Sequence, residues 1–362
     1  MPIARLCQVR RSSFAPALGL PESSSSPGHP GPPPRQRLLS RPQPAARRPS
    51  QGLMVPGRAL ALDSIQIEPP PCAMAVELSA NLTAVAPMRV RIGGQSIALF
   101  RGLDGQIAAL ADICPHRGAS LSRGQVVSGS LLCPNHGRHY TADGSCTEVA
   151  SLRAQSYIFE EQHGRIWTRD PRLGASPTAA IPFAQQLEDT TFFSIEGVAP
   201  VRAAWQLIYE NSTDILHLDA VHGLPAVVSA IVQPDAYTDI FLYEGIKGSP
   251  LKGVVTALMP LLGLSGKRIV TITKRPPTSV MVTIHEVDQA SIFRIIINAA
   301  EDGQQENGNP CAKTIWSFSH NISWLGHHFD FILRQIMESN LREDNEVLEG
   351  MHRPTYNQRQ KS

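Results

Sequence analysis

Residues 114–140 read CPHRGASLSRGQVVSGSLLCPNHGRHY, and side chains that bind metals are concentrated there. Cys114 and His116 stand two apart. After a gap of sixteen residues come Cys133 and His136, three apart. Gly118, Gly124 and Gly137 permit the tight turns that short ligand loops require. Two thiolates and two imidazoles can hold one metal ion or one cluster. Structural zinc sites usually pair Cys with Cys and His with His. Cys-x-His followed by Cys-x-x-His suits a [2Fe–2S] cluster instead, with both cysteines on one iron and both histidines on the other. Neutral imidazole in place of thiolate removes negative charge and raises the reduction potential.

A second constellation lies in ENSTDILHLDAVHG, residues 210–223. Asn211, Asp214 and His217 are spaced by three, so a helix sets them on one face. His222 is five residues beyond His217, about 140° away on an ideal helix. The two histidines can face one metal only if the helix loosens, and Gly223 and Pro225 put His222 at its end. Taken alone, the pattern fits equally an ordinary pair of helix histidines beside a solvated acid.

The elements that must position these groups are legible in part. Met88–Ile92 alternates apolar and basic residues as a half-buried strand does, and Ser96–Phe100 and Ile107–Leu110 are short apolar runs. Gly93-Gly94 and Asp104-Gly105 between them are hairpin signals. With Leu131–Cys133 and Arg165–Thr168 they predict a small all-β module ending near Asp170, followed by a linker over Pro171–Pro182. Next come a strand over Thr190–Gly197 and a helix over Val201–His222. Strands follow at Tyr237–Tyr243, Arg268–Thr273, Val280–Val287, Ile292–Ala299 and Lys313–Ile322. A closing helix spans about His327–Glu349, with Phe329, Ile332, Leu333 and Ile336 on its apolar face. The fold class expected is α+β, an antiparallel sheet flanked by helices after the small β module.

The first constellation resembles the Rieske motif, C-x-H-x(15–17)-C-x-x-H. Ala119 and Asn135 occupy the places where Rieske proteins of cytochrome bc complexes carry a disulfide, so the likeness is to Rieske domains of oxygenases and their ferredoxins. Arg138 stands where many oxygenases have Trp, and His139 beside it reads as a surface or supporting residue. Asn-x2-Asp-x2-His-x4-His downstream resembles the catalytic domain of Rieske non-haem iron oxygenases, over roughly residues 76–350. The resemblance implies a [2Fe–2S] cluster on Cys114, His116, Cys133 and His136. It implies mononuclear Fe(II) on His217, His222 and Asp344, with Glu343, Glu346 and Glu349 as rivals to the acid. Asp214 would orient His217 and reach His116 or His136 of a neighbouring subunit. The implied fold is a helix-grip catalytic domain, and the implied assembly a homotrimer. The implied function is a terminal component that takes electrons from a ferredoxin or flavin reductase, activates O2, and hydroxylates or oxidatively demethylates a small apolar cyclic substrate. The rivals are an electron carrier or redox sensor without oxygenase chemistry and a structural zinc adaptor. Cys72, Cys146 and Cys311 match no ligand position and read as buried or incidental thiols.

Composition bounds the rest. With 362 residues, 42% hydrophobic and 18% charged, the chain has room for two folded domains and is neither collagen nor coiled coil. No run reaches the roughly 18 apolar residues of a membrane span. The net charge of +2 conceals nine arginines against the single acid Glu22 in residues 1–60. The remainder is acidic, with no nucleic-acid footprint. Half of the 30 prolines fall in residues 1–71. An Arg-, Ser- and Pro-rich, acid-poor leader predicts an organelle transit peptide, chloroplast before mitochondrion. The expected division is a disordered segment at 1–70, a cluster domain at 71–172 and a catalytic domain at 173–362.

Overall fold

A computed structural model describes residues 72–214, 217, 221, 226–246, 267–286, 291–304, 308–323, 325–328 and 330–351. The chain divides into units Met1–Ile65 and Gln66–Ser362, and every described residue belongs to the second. The expected leader, His222 and Phe329 lie outside the described residues.

The small β module comprises nine strands: β1 (Met74–Leu78), β2 (Met88–Ile92), β3 (Gln95–Arg101), β4 (Ile107–Ala111), β5 (Gln125–Val127), β6 (Ser130–Leu132), β7 (His139–Tyr140), β8 (Phe159–Gln162) and β9 (Arg165–Thr168). They form three three-stranded sheets, β1-β9-β8, β2-β3-β4 and β5-β6-β7. The β2–β3 turn is the two-residue Gly93-Gly94, both with positive φ, as that tight hairpin requires. Phe100, Leu110, Leu131 and Tyr140 pack into one core together with Cys114 and Cys133. The cluster loops therefore grow out of a rigid base.

The larger part begins with α1 (Ala184–Glu188), β10 (Phe193–Val201) and α2 (Trp205–Thr213). Strands β11 (Ala226–Asp235), β12 (Thr238–Ile246), β13 (Lys267–Arg275), β14 (Ser279–Glu286), β15 (Ser291–Gln304) and β16 (Pro310–His320) follow, and α3 (Asp330–Gly350) closes the order. The seven strands form one antiparallel sheet, β10-β16-β15-β14-β13-β12-β11. The α+β architecture is the one expected. Successive residues of β16 face opposite sides. Trp316 packs with Ile195 against Met337 and Leu341 of α3. Its neighbour Ile315 packs with Ala300 against Trp167, Ala75, Ala179 and Ile181. With both faces buried, this strand carries Lys313, Thr314, Ser317, Ser319 and His320 buried beside its apolar residues.

Three expectations need correction. Among the described residues, the helix predicted over Val201–His222 begins at Trp205 and breaks after Thr213, because Val201 belongs to β10 and Asp214 is extended at φ −90°, ψ 107°. Ser212 and Thr213 donate their hydroxyls to the carbonyls of Ile208 and Glu210, a local alternative that weakens helix propagation. The buried stripe of α3 is Met337, Leu341 and Leu348, whereas Ile332 is exposed. The segment read as a linker is packed: Ala73 N–H donates to Ala180 O at 3.0 Å, and Ala179 and Ile181 are buried.

Three ion pairs tie the module to the sheet, one of them Arg91 Nε with Glu301 Oε1 at 3.6 Å. Lys313 Nζ lies 2.5 Å from Glu77 Oε2, both buried, and Arg165 Nη1 lies 2.8 Å from Glu196 Oε1.

Candidate cluster and iron sites

The two Cys-His loops are built alike. Cys114 O accepts the N–H of Gly118 at 2.8 Å, and Cys114 N–H donates to Ala119 O at 2.7 Å. Cys133 O accepts the N–H of Gly137 at 3.1 Å, and Cys133 N–H donates to Arg138 O at 2.8 Å. Gly118 and Gly137 take φ of +73° and +64°, a region other residues enter only with strain. The repeated C-P-x-x-G-x pattern thus has one conformational cause in each loop.

The cysteines are each 2% exposed, whereas His136 is exposed and His116 half-buried. The histidine rings meet edge to face, centroids 4.8 Å apart. All four expected ligands are therefore brought together, thiols inward and imidazoles toward solvent. The buried Nδ1 of His116 has no hydrogen-bond partner among the described residues, which suits an atom that binds metal. Among those residues no three His, Cys, Asp or Glu side chains surround a single ion. Two thiols and two imidazoles on paired loops are the donor set of a two-iron cluster with two protein ligands per iron.

Supporting groups surround the loops. Tyr140 Oη lies 3.1 Å from Cys114 Sγ. Burial acts to raise the Cys114 thiol, but hydrogen bonds from Tyr140 and from the main chain at His116 and Arg117 outweigh it and hold it below its ordinary value. For Cys133 burial prevails and the thiol is pushed up. His116 is pushed down by burial and then by the positive charge of Arg138, His136 and Arg117. Asp112 accepts from Ser120 Oγ, Ser122 N and Ser122 Oγ, bracing the first loop. His139 N–H donates to Glu148, which also accepts from Cys146 Sγ. Sequence reasoning missed Tyr140 and Asp112; their signal was adjacency to the motif. Cys146 is a buried thiol, one of the two alternatives expected, and packs in the same core as the cluster cysteines.

At the second constellation, α2 ends before His217. Asn211 sits on its last turn, its carbonyl accepting the N–H of Asp214 at 3.1 Å. His217 opens a further turn, with its carbonyl accepting the N–H of Val221 at 2.7 Å. Asn211, Asp214 and His217 thus share no continuous helix face. The ring Nδ1 of His217 contacts the main-chain oxygen of Asp214, where the carboxylate had been expected. The opposite nitrogen, Nε2, faces Asp344 Oδ1 at 3.7 Å, with both side chains mostly buried. In the neutral tautomer whose Nδ1–H donates to Asp214 O, Nε2 is an acceptor facing a carboxylate, the arrangement a shared cation satisfies. On α3, Asp344 falls on the stripe of Leu341 and Leu348. Glu346 and Glu349 are exposed, and Glu349 accepts the N–H of Arg202.

The sheet below α2 carries an apolar cluster of Phe241, Val270, Ile272 and Val280, with Tyr209 of α2 against it. A separate polar cavity of about 300 Å³ at the seam with the β module is lined by His163, Glu196, Ser194, Ser317 and Ser319, and none of the candidate ligands borders it.

Residues 72–159 match the Rieske [2Fe-2S] domain family. The chain is 36% identical over 177 residues to the oxygenase component of dicamba O-demethylase from Stenotrophomonas maltophilia, covering 46% of this chain and 49% of that protein. It is 30% identical over 152 residues to the chloroplastic chlorophyllide a oxygenase of Chlamydomonas reinhardtii, covering 40% and 23%. The chain thus spans about half or less of the length of the curated relatives it matches. Crystal structures of dicamba monooxygenase share its fold, with a TM-score of 0.64 at 24% identity over 77% of this chain and 86% of that one. One of them contains non-heme iron and dicamba.

Proposed function

We propose that this chain, a member of the Rieske-type oxygenases, is a terminal oxygenase component. The observation that carries this reading over an electron carrier is the pairing of His217 Nε2 with Asp344 Oδ1, supplied by distant parts of the sequence. When bound, a [2Fe–2S] cluster supplies single electrons and Fe(II) supplies O2 activation. The buried Cys114 and Cys133 would hold one iron of the cluster. His116 and the exposed His136 would hold the other, on the side open to an electron donor. His217 and Asp344, with His222, hold the mononuclear iron, and the main-chain oxygen of Asp214 fixes the His217 ring. The Asp214 carboxylate bridges to His116 or His136 of a neighbouring subunit, and Asn211 braces that turn. The wall of Phe241, Val270, Ile272 and Val280 keeps water from the reacting substrate and selects an apolar, cyclic one. The reaction is hydroxylation or oxidative demethylation.

The electron donor is a ferredoxin or a flavin reductase, the assembly a homotrimer and the compartment a plastid reached through residues 1–70. The cluster domain is 71–172 and the catalytic domain 173–362. A chloroplastic relative and the Arg-rich leader support the plastid reading. The test is reoxidation of the reduced cluster by O2 in the presence of candidate apolar substrates, wild type against Asp344→Ala. Substrate-dependent reoxidation that is lost in the variant supports the oxygenase. Equal rates in both proteins would assign the chain to electron transfer.

A further inference from the structure

We propose that Arg138 sets the reduction potential of the cluster: its positive charge, anchored two residues after His136 on the second ligand loop, stabilises the reduced state and raises the potential. The inference rests on the Rieske reading. The two ligand loops differ at the position after their glycine, where one has Ala119 and the other Arg138. The carbonyl of Arg138 is pinned by Cys133 N–H at 2.8 Å, as that of Ala119 is by Cys114. Its Cα is therefore fixed relative to the cluster cysteines. The side chain is half-buried, and its buried Nε has no hydrogen-bond partner among the described residues. No ion pair to a carboxylate joins Arg138 or Arg117 there. The charge is thus held close and not neutralised.

Arg138 is carried on the same loop as Cys133 and His136 and is half-buried there, whereas Arg117 on the other loop is exposed. Reduction adds one electron and makes the cluster one unit more negative, so a fixed positive charge nearby favours the reduced form. Partial burial weakens solvent screening at Arg138, whereas salt and water screen Arg117. The consequence for turnover is a cluster that accepts electrons from a weaker reductant, with less driving force left for the onward step.

The experiment is a spectroelectrochemical titration of the full-chain holoprotein, following the visible cluster absorbance. Arg138→Gln should show an intact spectrum and a lower midpoint potential, and Arg138→Lys should keep most of the wild-type value. Arg117→Gln should fall less, and its deficit should shrink more with added salt. If Arg138→Gln does not assemble, Arg138→Met keeps the aliphatic stem and removes the charge. Equal potentials in wild type and the neutral variant would overturn the proposal. So would a Lys variant as low as the Gln variant, or a larger fall in Arg117→Gln. A wild type with no Rieske spectrum would instead overturn the cluster reading on which the proposal stands.

Discussion

A carboxylate on the buried stripe of a helix is costly unless a partner compensates it. Asp344 occupies such a place between Leu341 and Leu348 and faces His217. Asp344→Ala is therefore expected to lose the mononuclear iron and keep the cluster spectrum, read by iron analysis beside visible absorption. Retention of that iron would move the ligand to Glu343. Asp214 tests a different step. Since its main-chain oxygen holds the His217 ring, Asp214→Asn should leave both metal sites loaded. Electron transfer between them should slow at least about tenfold, which corresponds to about 1.4 kcal/mol in the barrier. Stopped-flow oxidation of the reduced cluster measures it, and an unchanged rate would remove the carboxylate from the path. At this scale the cluster ligands were legible because Cys, His, Pro and Gly recur in one short stretch. Asp344 was legible only through resemblance, because Glu343, Glu346 and Glu349 crowd the same helix. The contact between His217 and a main-chain oxygen leaves no mark on residue identity.

The elements that carry these groups depend on close backbone approaches. A Cβ at Gly124 would stand 1.9 Å from the carbonyl oxygen of Leu132, the residue before Cys133. Main chain cannot yield as a side-chain tip can, so Gly124→Ala should displace the second loop. The expected result is protein with little or no cluster absorbance, whereas an unaltered spectrum would show that the hairpin shifts without harm. Asp170, buried at the end of the β module, accepts from Ile158 N and from Arg172 N, Nε and Nη2. The Arg172 pairing first, and then those main-chain donors, hold its carboxyl down at about 2. A carboxyl lowered from about 3.9 in the unfolded chain stabilises the fold above pH 4. That contribution drains away as pH falls toward 2. Asp170→Asn should flatten this part of the acid-unfolding profile, followed by circular dichroism. Strands with clear alternation or long apolar runs were legible, β2 and β9 to their end residues. Strands β1, β5, β7 and β8 were not, since none shows a clear period, and neither was β11, whose apolar residues run together without alternation before Gln233 and Pro234. The helix over Val201–His222 was overextended because hydroxyl side chains near Thr213 break it by a local bond that apolar spacing does not register.

For the molecule as a whole, a β module that matches the Rieske family packs on a seven-stranded antiparallel sheet, joined to it by Lys313–Glu77 and Arg165–Glu196. Among the described residues no helix is long and apolar enough to cross a membrane. The two-part order was legible because the metal motifs fall in separate stretches. The packing of Pro171–Pro182 was not, since its buried Ala179 and Ile181 sit among residues that read as loop. The central claim is that one chain holds both a Rieske cluster and a separate iron. Iron, zinc and acid-labile sulfide measured on the same purified wild-type protein test it most directly. The account predicts about three irons for every two sulfides and no stoichiometric zinc. Two irons for two sulfides in protein prepared without chelator and resupplied with Fe(II) would contradict it, as would a colourless zinc protein.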